Sequence, residues 1–199
     1  VRGDRQILEA LNEILTAELT AINQYFIHAK MCGNWGYQRL AKKKREESID
    51  EMKDADHVIE RILFLDGVPN MQRLFPVRVG EDPIEQHRLD LALETEAVGR
   101  YNKAIVIARE KGDNGTRALL EQLLRGEEHS VDWLESQLHV IEQIGKERYL
   151  ADMPRVLDCA LRTARRYGEL DRLTRLMEDV ESAAGQTGGT NIGDLFGGL

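Results

Sequence analysis

The four prolines of this chain stand at positions 69, 76, 83 and 154, and they leave long stretches in which nothing interrupts a helix. Within these stretches apolar residues recur every three or four positions, which is the period of one helical face. No segment alternates between apolar and polar residues with a period of two, so no sheet is expected. These observations predict an all-α fold.

The apolar spacing predicts four long helices with one long connection in the middle. The first helix covers residues 7–26, and the second ends at the breaker cluster 67–70. Residues 70–82 show no helical period, and a connection of this length suits a crossover between two parallel helices. The expected architecture is an up-down four-helix bundle.

The ends of the later helices divide the chain into three parts. Asp82 followed by Pro83 is typical of a helix N-terminus. The third helix should reach about Gly112, and the fourth should begin after residues 113–115 and end near Gly145. With a short fifth helix the bundle fills residues 1–150, a helical extension covers 151–184, and residues 185–199, which hold six of the 17 glycines, form a flexible tail.

Composition narrows the classes of protein that fit. The net charge is −8, from 27 Lys and Arg against 35 Asp and Glu, which argues against nucleic-acid binding. No run approaches the roughly 18 apolar residues of a membrane-spanning helix, and the first residues are unlike a signal peptide. With only two cysteines, a disulfide framework is not expected, and a cytoplasmic location is predicted.

Each predicted helix carries one glutamate among its apolar residues. These are Glu18, Glu51, Glu94 and Glu127. Any one of them alone would be explained more simply as a solvated or salt-bridged side chain. Four buried carboxylates would repel one another unless a cation neutralised them, so the set predicts a metal centre inside the bundle.

Several segments closely resemble bacterioferritin over about residues 1–155. They are Asn23-Gln24-Tyr25-Phe26, residues 47–53, residues 59–65, Leu91-Ala92-Leu93-Glu94 and Asp132-Trp133-Leu134-Glu135. The resemblance implies a ferritin-like four-helix bundle with a long crossover between helices two and three, assembled as a hollow shell of roughly 24 subunits. It also implies haem between two-fold-related subunits, a di-iron site that oxidises Fe(II), a ferric mineral inside the shell and a ferredoxin-type reductant.

The resemblance assigns the axial ligand of haem b to Met52, although a lone methionine on an apolar face is usually core filler. The matching pocket positions are Leu19, Ile22, Asn23, Phe26 and Ile59. Arg45 replaces a tyrosine of the family near the haem and iron sites. It could pair with a glutamate or meet a haem propionate.

The di-iron motif departs from the family, which has Glu-x-x-His twice. Here Asp54 and Ser130 stand where the histidines are expected, and His129 is one residue too early. The resemblance gives Glu18, Glu51, Asp54, Glu94 and Glu127 as the metal ligands. One interpretation is a haem-specialised subunit that co-assembles with a histidine-complete sister subunit. The alternatives are a self-sufficient carboxylate-only ferroxidase, and a scaffold subunit with neither metal nor haem.

The end of the chain resembles the peptides that load cargo into encapsulin nanocompartments. Ile192, Gly193, Leu195 and Phe196 form its apolar-glycine motif, with Asp194 where those peptides have serine. An apolar tip on a flexible tether can dock into a groove of a partner, here an encapsulin shell protein. A frayed terminus without a role is the simpler alternative.

The remaining candidates receive structural interpretations. His28, His57, His87 and His139 show no ligand spacing and are expected at the surface or at interfaces. Packing explains Trp35 and Trp133, and the two cysteines, Cys32 and Cys159, are expected to be buried thiols.

Overall fold

The computed structural model describes residues 2–153, so the predicted extension and tail lie outside the described residues. The described part forms one compact unit of helices without a strand. The helices are α1 (Arg5–Asn34), α2 (Gln38–Phe64), α3 (Pro83–Glu110), α4 (Asn114–Ile144) and the short α5 (Lys146–Ala151). Helix α1 packs against α2 and α3, and α3 packs against α4. The predicted all-α, ferritin-like four-helix bundle is confirmed.

Local chemistry sets the helix ends. The Asp82 side chain accepts hydrogen bonds from the backbone N–H groups of Ile84 and Glu85, as an N-cap does. Asp113 caps α4 in the same way. Asn114 and Gly115 therefore lie inside α4, whereas the sequence predicted a helix that begins after them. Gly145 ends α4 with a φ of +84°, a conformation that favours glycine.

The crossover between α2 and α3, residues 65–82, is held to α1 by its backbone. Four polar side chains of α1, spaced by whole helical turns, each accept a backbone N–H of the crossover. The pairs are Asn12 with Asn70 (2.7 Å), Thr20 with Phe75 (2.9 Å), Gln24 with Arg78 (3.2 Å) and His28 with Gly80 (3.0 Å). These bonds satisfy backbone donors of a segment that has no helix or sheet of its own.

The bundle core is apolar at both ends and polar in the middle. One apolar cluster joins the beginning of α1 to the end of α2, around Leu11, Ile14 and Ile62. A second cluster surrounds Cys32 and Tyr149 at the other end. Buried polar side chains occupy the turns between them: Glu18, Gln24, His28, Lys44, Glu47, Glu51, Asp90, Glu94 and Glu127.

Helix α3 differs most from the expected apolar pattern. Among the apolar residues that defined its predicted period, Leu93 is buried, whereas Leu89, Leu91, Val98, Ile105 and Ile107 are half-buried. Its buried face is instead formed by polar, aromatic and small side chains: Gln86, His87, Asp90, Glu94, Ala97, Tyr101, Ala104 and Ala108. This helix therefore contributes Asp90 and Glu94 to the polar middle of the core.

Candidate metal centre

One glutamate from each long helix meets its counterparts at the centre of the bundle. Carboxylate oxygens of Glu51, Glu94 and Glu127 lie within 4.8 Å of one another, and all three residues are buried. Oxygens of Glu18, Asp54 and Glu127 form a second group within the same distance. Glu127 belongs to both groups, so a cation in each would share this carboxylate.

Asp54 reaches this centre because it lies one helical turn after Glu51 on α2. Its side chain is half-buried, at the edge of the cluster. Ser130, one turn after Glu127 on α4, has a different contact: its hydroxyl donates to Oε2 of Glu47 at 3.1 Å. His129 is exposed and belongs to neither group of possible metal ligands. The ligands gathered here are therefore all carboxylates.

Two buried tyrosines fix the orientation of the cluster. The Tyr101 hydroxyl donates to Oε1 of Glu18 at 2.8 Å, and the Tyr25 hydroxyl donates to Oε1 of Glu94. Burial raises the pKa of both tyrosines well above the usual value, so they remain protonated donors. The other oxygen of Glu18, and Oε2 of Glu127, have no hydrogen-bond partner among the described residues although both are buried. These are oxygens that a cation would satisfy.

Burial also determines the protonation of the glutamates. Desolvation raises the pKa of Glu18 and of Glu94 to about 7, against hydrogen bonds that act to lower it. Desolvation and the neighbouring carboxylates raise the pKa of Glu51 and of Glu127 well above the usual value. Without a cation the cluster therefore holds protons at neutral pH, and a bound cation would replace them. An all-oxygen donor set suits hard cations.

A second buried polar network lies one turn away on α3. Asp90 accepts from Gln24 (2.9 Å) and from Nδ1 of His28 (2.8 Å) through Oδ1, and from the Lys44 ammonium (2.5 Å) through Oδ2. The bond from Gly80 to Nε2 of His28 assigns the ring proton to Nδ1. This network links α1, α2, α3 and the crossover beside the carboxylate centre.

The expectation that all four histidines lie at the surface or at interfaces is wrong for His28 and His87. Both are fully buried, whereas His57 and His139 are exposed. His87 donates from Nε2 to the Tyr149 hydroxyl at 3.0 Å, since that hydroxyl itself donates to Gln137. Burial and the charge of Lys44 lower the pKa of His87 to about 3, so the ring stays neutral. Cys32 is a buried thiol, as predicted.

The residues assigned to haem lie together along α1 and α2. Leu19, Ile22 and Ile59 are half-buried against the core, and Asn23 is exposed. Phe26 and Met52 are 40% and 42% exposed, and Ile49, at 38%, lies one helical turn before Met52 on α2. The Arg45 guanidinium lies 5.2 Å from the centre of the Phe26 ring. Together these residues form an exposed apolar strip edged by a cation. Arg45 contacts this strip through a cation–π interaction.

Within residues 2–153, the helices are too short or too polar to cross a membrane.

Comparison with known proteins identifies relatives over most of the chain. A family model described as a ferritin-like domain matches residues 8–144. A bacterioferritin of Mycolicibacterium paratuberculosis is 50% identical over 151 residues, which are 76% of this chain and 95% of that protein. A bacterioferritin of Streptomyces coelicolor is 48% identical over 76% of this chain and 90% of its own length. One of Brucella melitensis is 43% identical over 75% of this chain and 92% of its own length.

Proposed function

The chain belongs to the ferritin-like family, among the bacterioferritins, and from this premise we propose that it is a subunit of an iron-storing shell that takes up Fe(II) at its carboxylate centre and binds haem through Met52. One observation carries the iron part of the proposal. Two groups of three carboxylates share Glu127, and two of their buried oxygens have no partner among the described residues. Such an arrangement is costly without a cation and stable with one.

Fe(II) is the substrate of this centre. Metal entry displaces the protons that the glutamates share, and Tyr25 and Tyr101 keep Glu94 and Glu18 in position through their hydrogen bonds. Two Fe(II) ions lose one electron each, and dioxygen takes up the two electrons with two protons to give hydrogen peroxide. Carboxylates are hard donors and favour the ferric product, which then moves to the mineral inside the shell.

The missing histidines favour slow oxidation in this chain alone. Asp54 has a shorter reach than imidazole, and Ser130 already donates to Glu47. The proposed partners are a sister subunit and a reductant. The sister subunit carries both histidines and lies in the same shell of roughly 24 subunits, and the reductant is a ferredoxin-type protein. A self-sufficient carboxylate-only ferroxidase is the second candidate, favoured by the position of Asp54 beside Glu18 and Glu127.

Iron loading of the purified homomer tests the central proposal. Iron retained per shell and dioxygen consumed are measured for the wild type, Glu127→Gln and Glu128→Gln. Glu127→Gln removes the carboxylate that both groups share and should abolish uptake at the centre, whereas Glu128 is exposed and serves as the matched control. Equal loading of all three proteins would overturn the proposal. Fast, stoichiometric oxidation by the wild-type homomer would favour the self-sufficient candidate.

The haem part of the proposal is supported by the exposed strip around Met52. A thioether is a soft ligand that suits haem iron, and Met52 is far more exposed than core filler would be. Phe26 and Ile49 offer apolar contact, and Arg45 offers a cation to a propionate. When bound, haem supplies one-electron transfer for release of stored iron. Two copies of the strip facing each other would provide one methionine from each subunit.

The proposed location is cytoplasmic, inside an encapsulin compartment. The cargo-loading motif Ile192, Gly193, Leu195 and Phe196 lies outside the described residues, so this part rests on the sequence alone. Its support is the apolar character of the motif on a glycine-rich tether.

A further inference from the structure

The turn of α2 before Glu51 carries another buried carboxylate, Glu47. Glu47 lies four residues before Glu51, and Ser130 lies three residues after Glu127, so both pairs share a helical face. The Ser130 hydroxyl joins the two helices by its 3.1 Å bond to Oε2 of Glu47. Glu47 and Ser130 therefore form the layer of the core next to the carboxylates of Glu51 and Glu127.

Lysine and tryptophan side chains cover this layer from outside. The Lys43 ammonium forms an ion pair with Oε1 of Glu47, and it lies 5.0 Å from the centre of the Trp133 ring. Side-chain exposure falls from 30% at Lys43 to 11% at Glu47, so Lys43 lies on the solvent side of Glu47.

We infer that Glu47 is a further metal ligand. It supplies a donor to the metal held by Glu51, Glu94 and Glu127, in place of the donor that Ser130 cannot provide. This inference rests on the proposed function, since it concerns the same centre. Ser130 is small, and its hydroxyl holds the Glu47 carboxylate on the side from which a donor at position 130 would reach the metal. Lys43 is the counter-ion that a cation displaces, because a divalent cation and an ammonium compete for the same carboxylate.

Substitutions at two neighbouring lysine–glutamate pairs test this role. Lys43 with Glu47 is the pair in question, and Lys42 with Glu46, on the exposed face at 3.7 Å, is the control. Glu47→Gln keeps the volume and can still accept the bond from Ser130, so a purely structural role would survive it. A charge effect through space would survive Glu47→Asp, whereas a ligand with a shortened reach would not.

The measurement is titration of the assembled, iron-free protein with Co(II), followed by visible absorption and calorimetry. Co(II) binding that is lost in Glu127→Gln is assigned to the carboxylate centre. Glu47→Gln and Glu47→Asp should both weaken the binding of one of the two Co(II) ions by roughly ten- to hundredfold and change its absorption spectrum, because the metal loses a carboxylate donor. Lys43→Met should tighten the same ion, and Lys42→Met and Glu46→Gln should change nothing.

Three results would count against this inference. If the wild type binds two Co(II) ions at the centre and both Glu47 variants bind them with unchanged affinity and spectrum, Glu47 is no ligand and the proposed function stands. Retention by Glu47→Asp alone would equally reject a ligand role, in favour of a charge effect. If the wild type binds no Co(II) that depends on Glu127, the metal centre itself fails and the inference fails with it.

Discussion

The Lys44 ammonium lies 2.5 Å from Oδ2 of Asp90, and both side chains are withdrawn from solvent. Burial alone would raise the pKa of Asp90, but the charge of Lys44 and the bond from His28 outweigh it and hold that pKa well below its usual value. The pair joins α2 to α3 in the polar middle of the core, next to the carboxylate centre.

Removing one partner of this pair should destabilise the protein strongly. Lys44→Met leaves Asp90 as a buried charge without its cation, and we expect a loss of about 3–5 kcal/mol in the free energy of unfolding. Lys42→Met is the control, because that lysine pairs on the surface and should cost less than about 1 kcal/mol. Urea unfolding measures both. A Lys44→Met protein as stable as the control would show that Asp90 does not need the lysine.

The metal-free protein should become less stable as pH rises from about 5 to about 7. The folded pKa of Glu18 and of Glu94 is raised to about 7, chiefly by desolvation, whereas the unfolded carboxyls lose their protons near their ordinary value of 4.5. In this window the folded state binds more protons than the unfolded state, so stability falls with pH. Thermal unfolding of the chelated protein measures the trend, and added Fe(II) or Co(II) should stabilise it more at the higher pH.

Glu18→Gln with Glu94→Gln is the matched variant for this trend. Neutral amides cannot lose these protons, so the decline between the two pH values should shrink. A slope identical to that of the wild type would assign the pH dependence to other groups.

Restoring the two family histidines should speed iron oxidation. Asp54→His with Ser130→His adds an imidazole at each position, and we expect the initial rate of Fe(II) oxidation by the homomer to rise by on the order of tenfold. Stopped-flow absorbance of ferric product measures the rate. His129→Gln is the control and should leave the rate unchanged, since His129 is exposed. An unmodified homomer that already oxidises two irons per subunit rapidly would refute the impaired-centre interpretation.

Replacing Met52 should remove haem without disturbing the shell. Met52→Leu keeps the volume of the side chain and loses the thioether, so the Soret band should disappear while the assembly elutes at the same size. Met71→Leu, at an exposed methionine of the crossover, is the matched control. Stoichiometric haem in the Met52 variant would exclude it as the axial ligand.

Truncation after Ala184 should leave folding, haem binding and shell assembly unchanged and should prevent capture by an encapsulin. Ile192, Leu195 and Phe196 could each contribute on the order of 1.5–3 kcal/mol when buried in a partner groove, before ordering costs, and many tails on one shell add avidity. Co-expression of the full-length and truncated chains with an encapsulin shell protein measures the difference. Equal packaging of both would discard the docking hypothesis.

The sequence alone was sufficient to predict the helices and the glutamates of the centre, because both predictions follow from residue spacing along one helix. Asp82 as an N-cap is a local signal of this kind. Lys44 is different: it stands in a run of four basic residues that suggests a solvated face, and it is buried only because Asp90 lies opposite it. Such a pairing between helices has no signature in the periodicity of either helix.

A weaker signal for this network was present. Gln24 and His28 are four residues apart on α1, as Asp90 and Glu94 are on α3, and each pair forms a polar stripe on a helix. Because His28 by itself shows no ligand spacing to another histidine, it was expected at the surface or at an interface. Glu47 was overlooked as a buried carboxylate for the same reason, since its partner Ser130 lies on another helix.

The bonds between α1 and the crossover determine which changes this segment can tolerate. Because α1 recognises backbone N–H groups, most crossover side chains can be exchanged. Inserting or deleting one residue between these donors would instead move some of them out of register with their acceptors. Gly80 is an exception, since a Cβ there would lie 2.6 Å from the backbone nitrogen of Gln86. The crossover is thus a surface of fixed length and variable sequence, on which related proteins could vary exposed positions such as Leu74 and Val79 without altering the bundle beneath.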